Sequence, residues 1–448
     1  MRTLLTLAWP IVVSRASQVV VGVCDALMVA SLGQAALAAT TTGALNTFAL
    51  LILPMGVVFI VSSFSSQLYG RKDPLGARRY GFYGLALAVF TQVVGLLGLP
   101  LVGPILDLFP YEADVRALMH GYLGIRFLSA GAVVGMEALA NYYGGLGNTR
   151  LPMQANVAAM VLNVFANWVL IGGNLGFPAL GVRGAAWASA FATWIAFAGL
   201  FGRFILDGRL EGKIIPALRL SELLRMLRFG IPSGFNWFFE FFAFIVFVNV
   251  VVAGLGTTAL AGMMAVMQIN SVSFMPAFGL ASAGAILVGQ AIGAEQKDQV
   301  PRIVRLTFTA SGTWQSAVGL AYLLFPGAIF ALFVKEANPS TAAQLLEVGV
   351  RILMLSAAWQ LFDSAATVLA EALRAAGDTT FTLWARVVIA WGIFTPGSYL
   401  TVQHLGWGDR GAVFWLVLYL ALLALVLFVR FRRGAWRRIQ LTEPDLGV

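Results

Sequence analysis

A few ionisable residues of this sequence lie inside long apolar stretches, where a charge is costly. Residues 235–255 read FNWFFEFFAFIVFVNVVVAGL and contain a single charge, Glu240. This length matches the roughly 20 residues that a helix needs to cross about 30 Å of hydrocarbon. A charge at that depth costs about 3 kcal/mol or more. Glu240 is therefore predicted to have a function in the membrane, although an acid hydrogen-bonded to a neighbouring helix would give the same pattern.

A second acid, Asp363, is predicted to lie at the same depth as Glu240. Glu240 follows Arg228 by 12 positions, and Asp363 precedes Arg374 by 11. At about 1.5 Å per residue, both acids then lie roughly 17–18 Å from the same membrane face. Two carboxylates in a low-dielectric cavity cannot both stay charged cheaply unless a cation lies between them. Glu240 and Asp363 are therefore predicted to exchange a proton or a sodium ion, and to ligate the ion if it is Na⁺.

Polar side chains accompany both acids. Gln360, Ser364 and Thr367 share one helical stripe with Asp363. Asn236 lies one turn before Glu240, amid a run of phenylalanines that is expected mainly to pack and to face lipid. We expect Gln360, Thr367 and Asn236 to support the ion site.

Asp25 forms a separate candidate site. It lies eight residues before Gly33, about 12 Å from the predicted outer end of its apolar stretch. Asn163 and Asn167 are four residues apart and share one helical face, so they could offer Asp25 amide donors or neutral oxygens. The two asparagines could equally serve only interhelical hydrogen bonding, worth about 1 kcal/mol.

The other charges within apolar stretches have less specific interpretations. Arg15 needs a partner, and Glu137 is predicted to form a structural ion pair with it. The remaining four are expected near helix ends, as interface anchors or in contact with water: Arg126, Arg351, Glu371 and Arg386.

The composition indicates an all-α polytopic membrane protein. The 448 residues are 59% hydrophobic and only 11% charged, against about 25% charged in soluble proteins. One cysteine excludes a disulfide framework, and two separated histidines suggest no metal centre. The N-terminus is expected to be a retained span rather than a cleaved signal. Twelve spans are predicted, near 5–31, 43–69, 80–106, 117–145, 152–172, 183–206, 229–253, 259–291, 303–333, 342–373, 380–402 and 411–431.

Charge and repeats predict the orientation and the domains. Most of the 29 basic residues lie in one set of loops and ends, and the opposite set holds Arg116, Arg183, Lys335 and Arg410. Both termini are therefore expected in the cytoplasm, and the net positive charge is explained without nucleic acid. The chain is expected to lie in the inner membrane of a bacterium. LGQAALAA at 32–39 repeats as LGTTALAG at 255–262. This repeat predicts two six-helix bundles related by a pseudo-two-fold axis along the membrane normal, at 1–206 and 229–448, joined by a cytoplasmic linker at 207–228.

These motifs resemble the multidrug and toxic compound extrusion (MATE) transporters over essentially the whole chain. IPSGFNWFFEFF at 231–242 and QLFD at 360–363 resemble motifs of the NorM-like branch. The resemblance implies that Glu240 is the essential span-7 glutamate, Asp363 the cation-site aspartate and Asp25 the span-1 acid. Asn163 and Asn167 match the span-5 polar pair, whose second member is typically Asp in the DinF-like branch.

The resemblance also implies an activity. It implies an antiporter that exports organic, often cationic and amphiphilic, compounds in exchange for Na⁺ or H⁺. Because the chain has two repeated halves, we expect alternating access by rocking of the two bundles, without a cofactor. We expect one copy to function as a monomer in the lipid bilayer. Alternatives are a flippase for lipid-linked precursors and, more remotely, a membrane-embedded enzyme, for which the sequence offers no catalytic motif.

Overall fold

The structure is a computed structural model that describes residues 1–210, 215–331 and 339–442. These residues form helices joined by short connections, and they contain no β-strand. The predicted all-α polytopic fold class is confirmed. The described residues divide into two compact units: a first unit, Val13–Gly234, and a second unit, made of Met1–Val12 and the described residues from Phe235 onward.

Six spans build the first half of the chain. Span 4 consists of two helices that meet at a 48° bend, and the others are single or nearly continuous helices. Their bounds are Arg2–Ala30, Gln34–Gly70, Pro74–Leu106, Ala113–Phe127 with Ala130–Gly145, Arg150–Gly172 and Val182–Leu210.

Six more spans build the second half. Span 7 contains a π-helical segment at Phe247–Val252 near its end, and span 11 contains two, at Val388–Phe394 and Leu400–His404. The bounds are Leu220–Leu255 for span 7, Thr257–Gly293 for span 8, Val300–Leu324 for span 9, Pro339–Ser356 with Gln360–Ala375 for span 10, Thr379–Val387 with Thr395–Tyr399 for span 11, and Gly408–Arg432 for span 12.

All twelve predicted spans correspond to helices. Nine helices in the described ranges are long and apolar enough to cross a membrane, and the bent span 4 makes ten. Spans 9 and 11 are also helical and bring the number of spans to twelve, although neither is among these ten. Span 9 was predicted over 303–333, and the structure shows a break inside this range: helix Val300–Leu324 ends before Pro326, and a short helix, Pro326–Ala331, follows. A residue before proline is pushed away from helical geometry, as Phe325 is here. Lys335 lies outside the described residues.

The sequence repeat has a local structural counterpart. Gly33 and Gly256 precede spans 2 and 8 with φ values of 109° and 99°. Gly147 begins the sequence Gly-Asn-Thr and Gly377 begins the similar sequence Gly-Asp-Thr, and their φ values are 83° and 88°. Side chains disfavour this region of backbone space, so the repeat preserves glycine where the chain turns between spans.

The boundaries of the predicted domains differ from the boundaries of the two compact units. Residues 1–12 pack with the second unit, because Leu4, Leu7 and Ala8 form one cluster with span-8 residues that include Ala283. Helix Leu220–Val246 includes residues 220–228 of the predicted linker and continues directly into span 7. Linker residues 211–214 lie outside the described residues.

Candidate functional site

Glu240 lies opposite a basic residue of span 11. The guanidinium of Arg386 forms an ion pair with the Glu240 carboxylate. The arginine side chain is 9% exposed and that of the glutamate is 36% exposed. Removing a charge from water is costly unless a partner compensates it. The ion pair therefore explains how Arg386 and Glu240 can both lie inside apolar helices.

The prediction that Arg386 reaches water near a helix end is wrong. Arg386 lies two turns inside span 11, which begins at Thr379, and Asp378 before it is itself buried in an ion pair with Arg430. Arg386 was missed as a site residue because its partner is remote in sequence. The same prediction is wrong for Glu371, which is buried and paired with Arg374 one turn further along span 10.

Contacts between spans 7 and 11 position this pair. Trp391 Nε1 donates to the Phe239 carbonyl oxygen at 3.2 Å, one residue before Glu240. The rings of Phe247 and Phe394, which belong to the π-helical segments of spans 7 and 11, lie 4.9 Å apart. Such segments are common beside functional sites because they re-aim the side chains of a helix.

Asp363 is the third charged group of this site. It is half-buried in span 10 and lies close enough to Glu240 and Arg386 for electrostatic interaction. Within the described ranges, no hydrogen bond or ion pair joins Asp363 to another side chain. The second unit thus combines two acids with one base, and Arg386 supplies part of the positive charge that two close acids require.

The polar stripe of span 10 mainly contacts neighbouring helices. Gln360 Nε2 donates to Asn270 Oδ1 of span 8 at 2.7 Å, and Ser364 Oγ donates to Ser311 Oγ of span 9 at 2.8 Å. Thr367 is half-buried. Asn236 has a buried Oδ1 without a partner among the described residues, which leaves an amide oxygen one turn from Glu240.

Asp25 lies in a compact hydrogen-bond network in the first unit. Asn167 donates its amide to Asp25 Oδ1, and Ser189 Oγ donates to Asp25 Oδ2 at 3.2 Å. Asn163 donates to Ser189 Oγ at 3.0 Å and accepts from Asn167 at 3.1 Å. The structure thus brings Asp25, Asn163 and Asn167 together. It adds Ser189 of span 6, which no motif in the sequence marked.

A cavity of about 360 Å³ opens beside this network. Its lining includes Asp25, Asn163, Ser189, Tyr122 and Arg126. Arg126 was expected at a helix end as an interface anchor. Instead it lines the cavity, three residues before the bend at which span 4 changes direction.

The predicted Arg15–Glu137 ion pair is present. The closest nitrogen–oxygen distance is 2.7 Å. Gln18 and Asn156, joined by a 3.2 Å hydrogen bond, lie on the same side of the cavity as lining residues. Arg351, near the predicted outer end of span 10, forms an ion pair with Asp409 at 2.6 Å.

Several oxygen atoms near the acids of the second unit could ligate an ion. Nowhere in the described part of the chain do three His, Cys, Asp or Glu side chains cluster as metal ligands. Asp363, the remaining oxygen of Glu240 and the open amide oxygen of Asn236 are the hard donors of the second unit. Such oxygens could bind Na⁺, and the carboxylates could equally bind a proton.

The sequence matches a family profile and named relatives over most of its length. The MatE family profile matches residues 10–169 and 232–400. "Multidrug resistance protein NorM" of Burkholderia vietnamiensis is 28% identical over 429 residues, which cover 95% of this chain and 92% of the relative. "Probable multidrug resistance protein NorM" of Mesorhizobium japonicum is 29% identical over 443 residues, which cover 96% and 93%.

Solved structures share the fold. A crystal structure of a MATE protein in complex with MaL6 superposes with a TM-score of 0.87 at 19% identity, covering 98% of this chain and 97% of that one. The family profile extends over well more than half of the chain, and the resemblance to the NorM-like branch is confirmed by these relatives. The chain therefore belongs to the MatE family, whose members are transporters and not enzymes.

Proposed function

We propose that this protein exports organic compounds, often cationic and amphiphilic, in exchange for Na⁺ or H⁺. Its family membership and the multidrug resistance names of its relatives support export of small molecules. The three charged side chains Glu240, Asp363 and Arg386 inside the second unit support coupling to a cation most directly. Intramembrane ionisable residues are costly and typically mark ion pathways.

The charge balance suggests which acid exchanges the ion. The ion pair with Arg386 already neutralises Glu240. Asp363 then carries the negative charge that an entering proton or sodium ion neutralises. Loss of this charge weakens the attraction for a cationic compound and favours its release outward. When the ion leaves on the other side of the membrane, the restored charge attracts the next compound.

The wider setting of this cycle is part of the proposal. Alternating access would come from rocking of two six-helix bundles, as in other transporters built from repeats. The basic residues of the loops between spans favour cytoplasmic termini in the inner membrane of a bacterium. A single copy is proposed to act as a monomer in the bilayer, without a cofactor and without nucleic acid.

Counterflow in proteoliposomes tests this function. A fluorescent organic cation is loaded, and its efflux is followed under a sodium gradient and, separately, under a proton gradient. Efflux should respond to at least one gradient and fall to background in Asp363→Ala and Glu240→Ala. Asp298→Ala is the matched control, because that acid is 92% exposed. Unchanged efflux in both site variants, or no gradient-driven efflux by the unmodified protein, would overturn the proposal.

A further inference from the structure

Arg126 presents an open cationic group to the first-unit cavity. It lies in helix Ala113–Phe127 of span 4, about 20 Å along the helix from Ala113. Its side chain lines the cavity of about 360 Å³. Its Nε and Nη1 atoms are buried and have no hydrogen-bond partner among the described residues. Buried guanidinium donors without an acceptor are costly, so they point to a group that the protein alone does not supply.

The other charges around this cavity are already compensated. Glu137 accepts from Arg15 at 2.7 Å. Both oxygens of Asp25 accept hydrogen bonds, from Asn167 and from Ser189. Asp25 attracts Arg126 electrostatically, but no hydrogen bond joins the two within the described ranges. Among the charged lining residues in the described part of the chain, the one with donors free of hydrogen bonds is therefore the cation Arg126.

Apolar side chains form much of the remaining wall. They would enclose the body of an amphiphile: Val21, Phe48, Leu51, Met55, Val133 and Met136. The cavity volume lies within the range of about 300–1,000 Å³ typical of small-molecule sites. Methionines suit a site that accepts varied shapes, because their side chains are flexible and polarisable.

We propose that this cavity binds amphiphilic compounds that carry a carboxylate or another oxyanion, with Arg126 donating hydrogen bonds to that group. Guanidinium and oxyanion geometries match, and such charge-assisted bonds are roughly twice as strong as neutral ones. A compound with only positive charge would instead meet repulsion from Arg126. The cavity thus selects a substrate class different from the cationic one proposed for the whole cycle. The binding step stands alone, and only its use in transport rests on the proposed export function.

Binding to the purified full-length protein tests the proposal directly. The probes are 1-naphthaleneacetate and its methyl ester, which share an apolar body and differ in the oxyanion. Equilibrium dialysis should give at least tenfold tighter binding of the acid. Arg126→Gln should weaken binding of the acid at least tenfold and leave the ester unchanged, whereas Arg126→Lys should retain an intermediate preference. Arg116→Gln is the matched control on the same helix, since Arg116 pairs with Asp107 at the surface.

Three outcomes would overturn the proposal: equal binding of acid and ester by the unmodified protein, equal weakening of both probes in Arg126→Gln, or no effect of that variant on the acid. If Arg126→Gln fails to fold, the test compares how tightly the acid and the ester bind to the unmodified protein and to Arg126→Lys. A preference for the acid that is smaller in Arg126→Lys supports the proposal, and equal preferences in the two proteins contradict it. A lipid headgroup could supply the same chemistry as a soluble compound. Stronger competition by dihexanoyl phosphatidic acid than by 1-naphthyl phosphate would assign the oxyanion to a lipid, and the reverse order to a soluble compound.

Transport separates this proposal from the export function. One possible result is acid-selective binding that depends on Arg126, without gradient-driven movement of 1-naphthaleneacetate or of the organic cation in proteoliposomes. That result would support the binding site and contradict the export function. Gradient-driven efflux of the cation without acid-selective binding would do the opposite.

Discussion

The ion pair between Arg386 and Glu240 connects span 11 to span 7 inside the second unit. Gln403 Nε2 adds a hydrogen bond to the Val251 carbonyl oxygen at 2.7 Å, further along the same two helices. The pair fixes Glu240 in place and cancels its charge. Removal of either partner should therefore affect stability as well as ion coupling, and the two effects can be measured separately.

Glu240→Gln should destabilise the protein by about 2 kcal/mol. This is less than the about 3–5 kcal/mol for breaking a fully buried pair, because Glu240 is partly exposed. The double variant Glu240→Gln with Arg386→Gln should regain most of the loss, since no uncompensated charge then remains buried. Thermal unfolding of the detergent-purified protein measures both quantities.

The exposed pair of Asp298 and Arg437 is the control for this measurement. Its two side chains are 92% and 44% exposed, and Asp298→Asn should change stability by less than about 0.5 kcal/mol. A double variant at Glu240 and Arg386 as unstable as the sum of its single variants would contradict a direct coupling between the two residues.

The spans were predictable because a single physical requirement repeats along the chain. Each crossing needs about 20 apolar residues, and loops are marked by charge, glycine and proline. The breaks in the helices of individual spans were harder to predict from the sequence. The bend after Phe127 and the π-helical segments of span 11 depend on how neighbouring helices pack, which no local pattern in the sequence records.

The sites were predictable only in part, for a related reason. Asp25, Glu240 and Asp363 stand out because a charge in an apolar run is conspicuous. Arg386 is equally charged, but its distance from the helix start suggested water, and only the packing of span 11 against span 7 identifies its partner. Ser189 carries no charge, so its contact with Asp25 required the folded chain.

Span 6 contains two glycines that should respond oppositely to alanine. A Cβ atom on Gly184 would lie 2.5 Å from the Leu170 carbonyl oxygen of span 5. Around a Cβ atom on Gly199, no atom of the described residues lies within 4 Å, apart from its chain neighbours and the adjacent backbone of its own helix. Membrane helices use small residues for such close approach. Gly184→Ala should lower stability by about 1–3 kcal/mol through overpacking. Gly199→Ala should leave stability unchanged or raise it by up to about 1 kcal/mol, since alanine favours helix. Equal melting temperatures of the two variants would contradict this packing.

Glu222 should hold the first turns of the span-7 helix against span 3. Its Oε2 accepts from Arg79 Nε at 2.9 Å and from the Tyr83 hydroxyl at 2.8 Å, and Tyr83 in turn accepts from the Arg219 amide at 2.8 Å. Glu222→Gln should weaken this cluster by about 1–2 kcal/mol, since bonds to a charged group are lost. Hydrogen exchange should then accelerate about tenfold in residues 220–226.

Glu347→Gln is the matched control for this exchange experiment. Glu347 is 78% exposed, and its nearest basic nitrogen, on Arg351, is 4.0 Å away. Exchange in residues 220–226 should be the same as in the unmodified protein. Unaltered protection of these amides in Glu222→Gln would show that the cluster does not anchor the helix.

Asn167→Ala should disturb Asp25 more than it disturbs the rest of the first unit. Asn167 is fully buried and donates to the Asp25 carboxylate, as Ser189 does, so its removal takes one hydrogen-bond donor from a buried charge. A loss of about 1–3 kcal/mol in unfolding free energy is expected.

The double variant, Asp25→Asn with Asn167→Ala, should recover part of the loss because the buried charge is gone. Asn249→Ala is the control, because this asparagine is exposed and its amide donates to the Ile245 carbonyl oxygen of its own helix. If Asn167→Ala and Asn249→Ala melted at the same temperature, the amide of Asn167 would contribute nothing to holding Asp25.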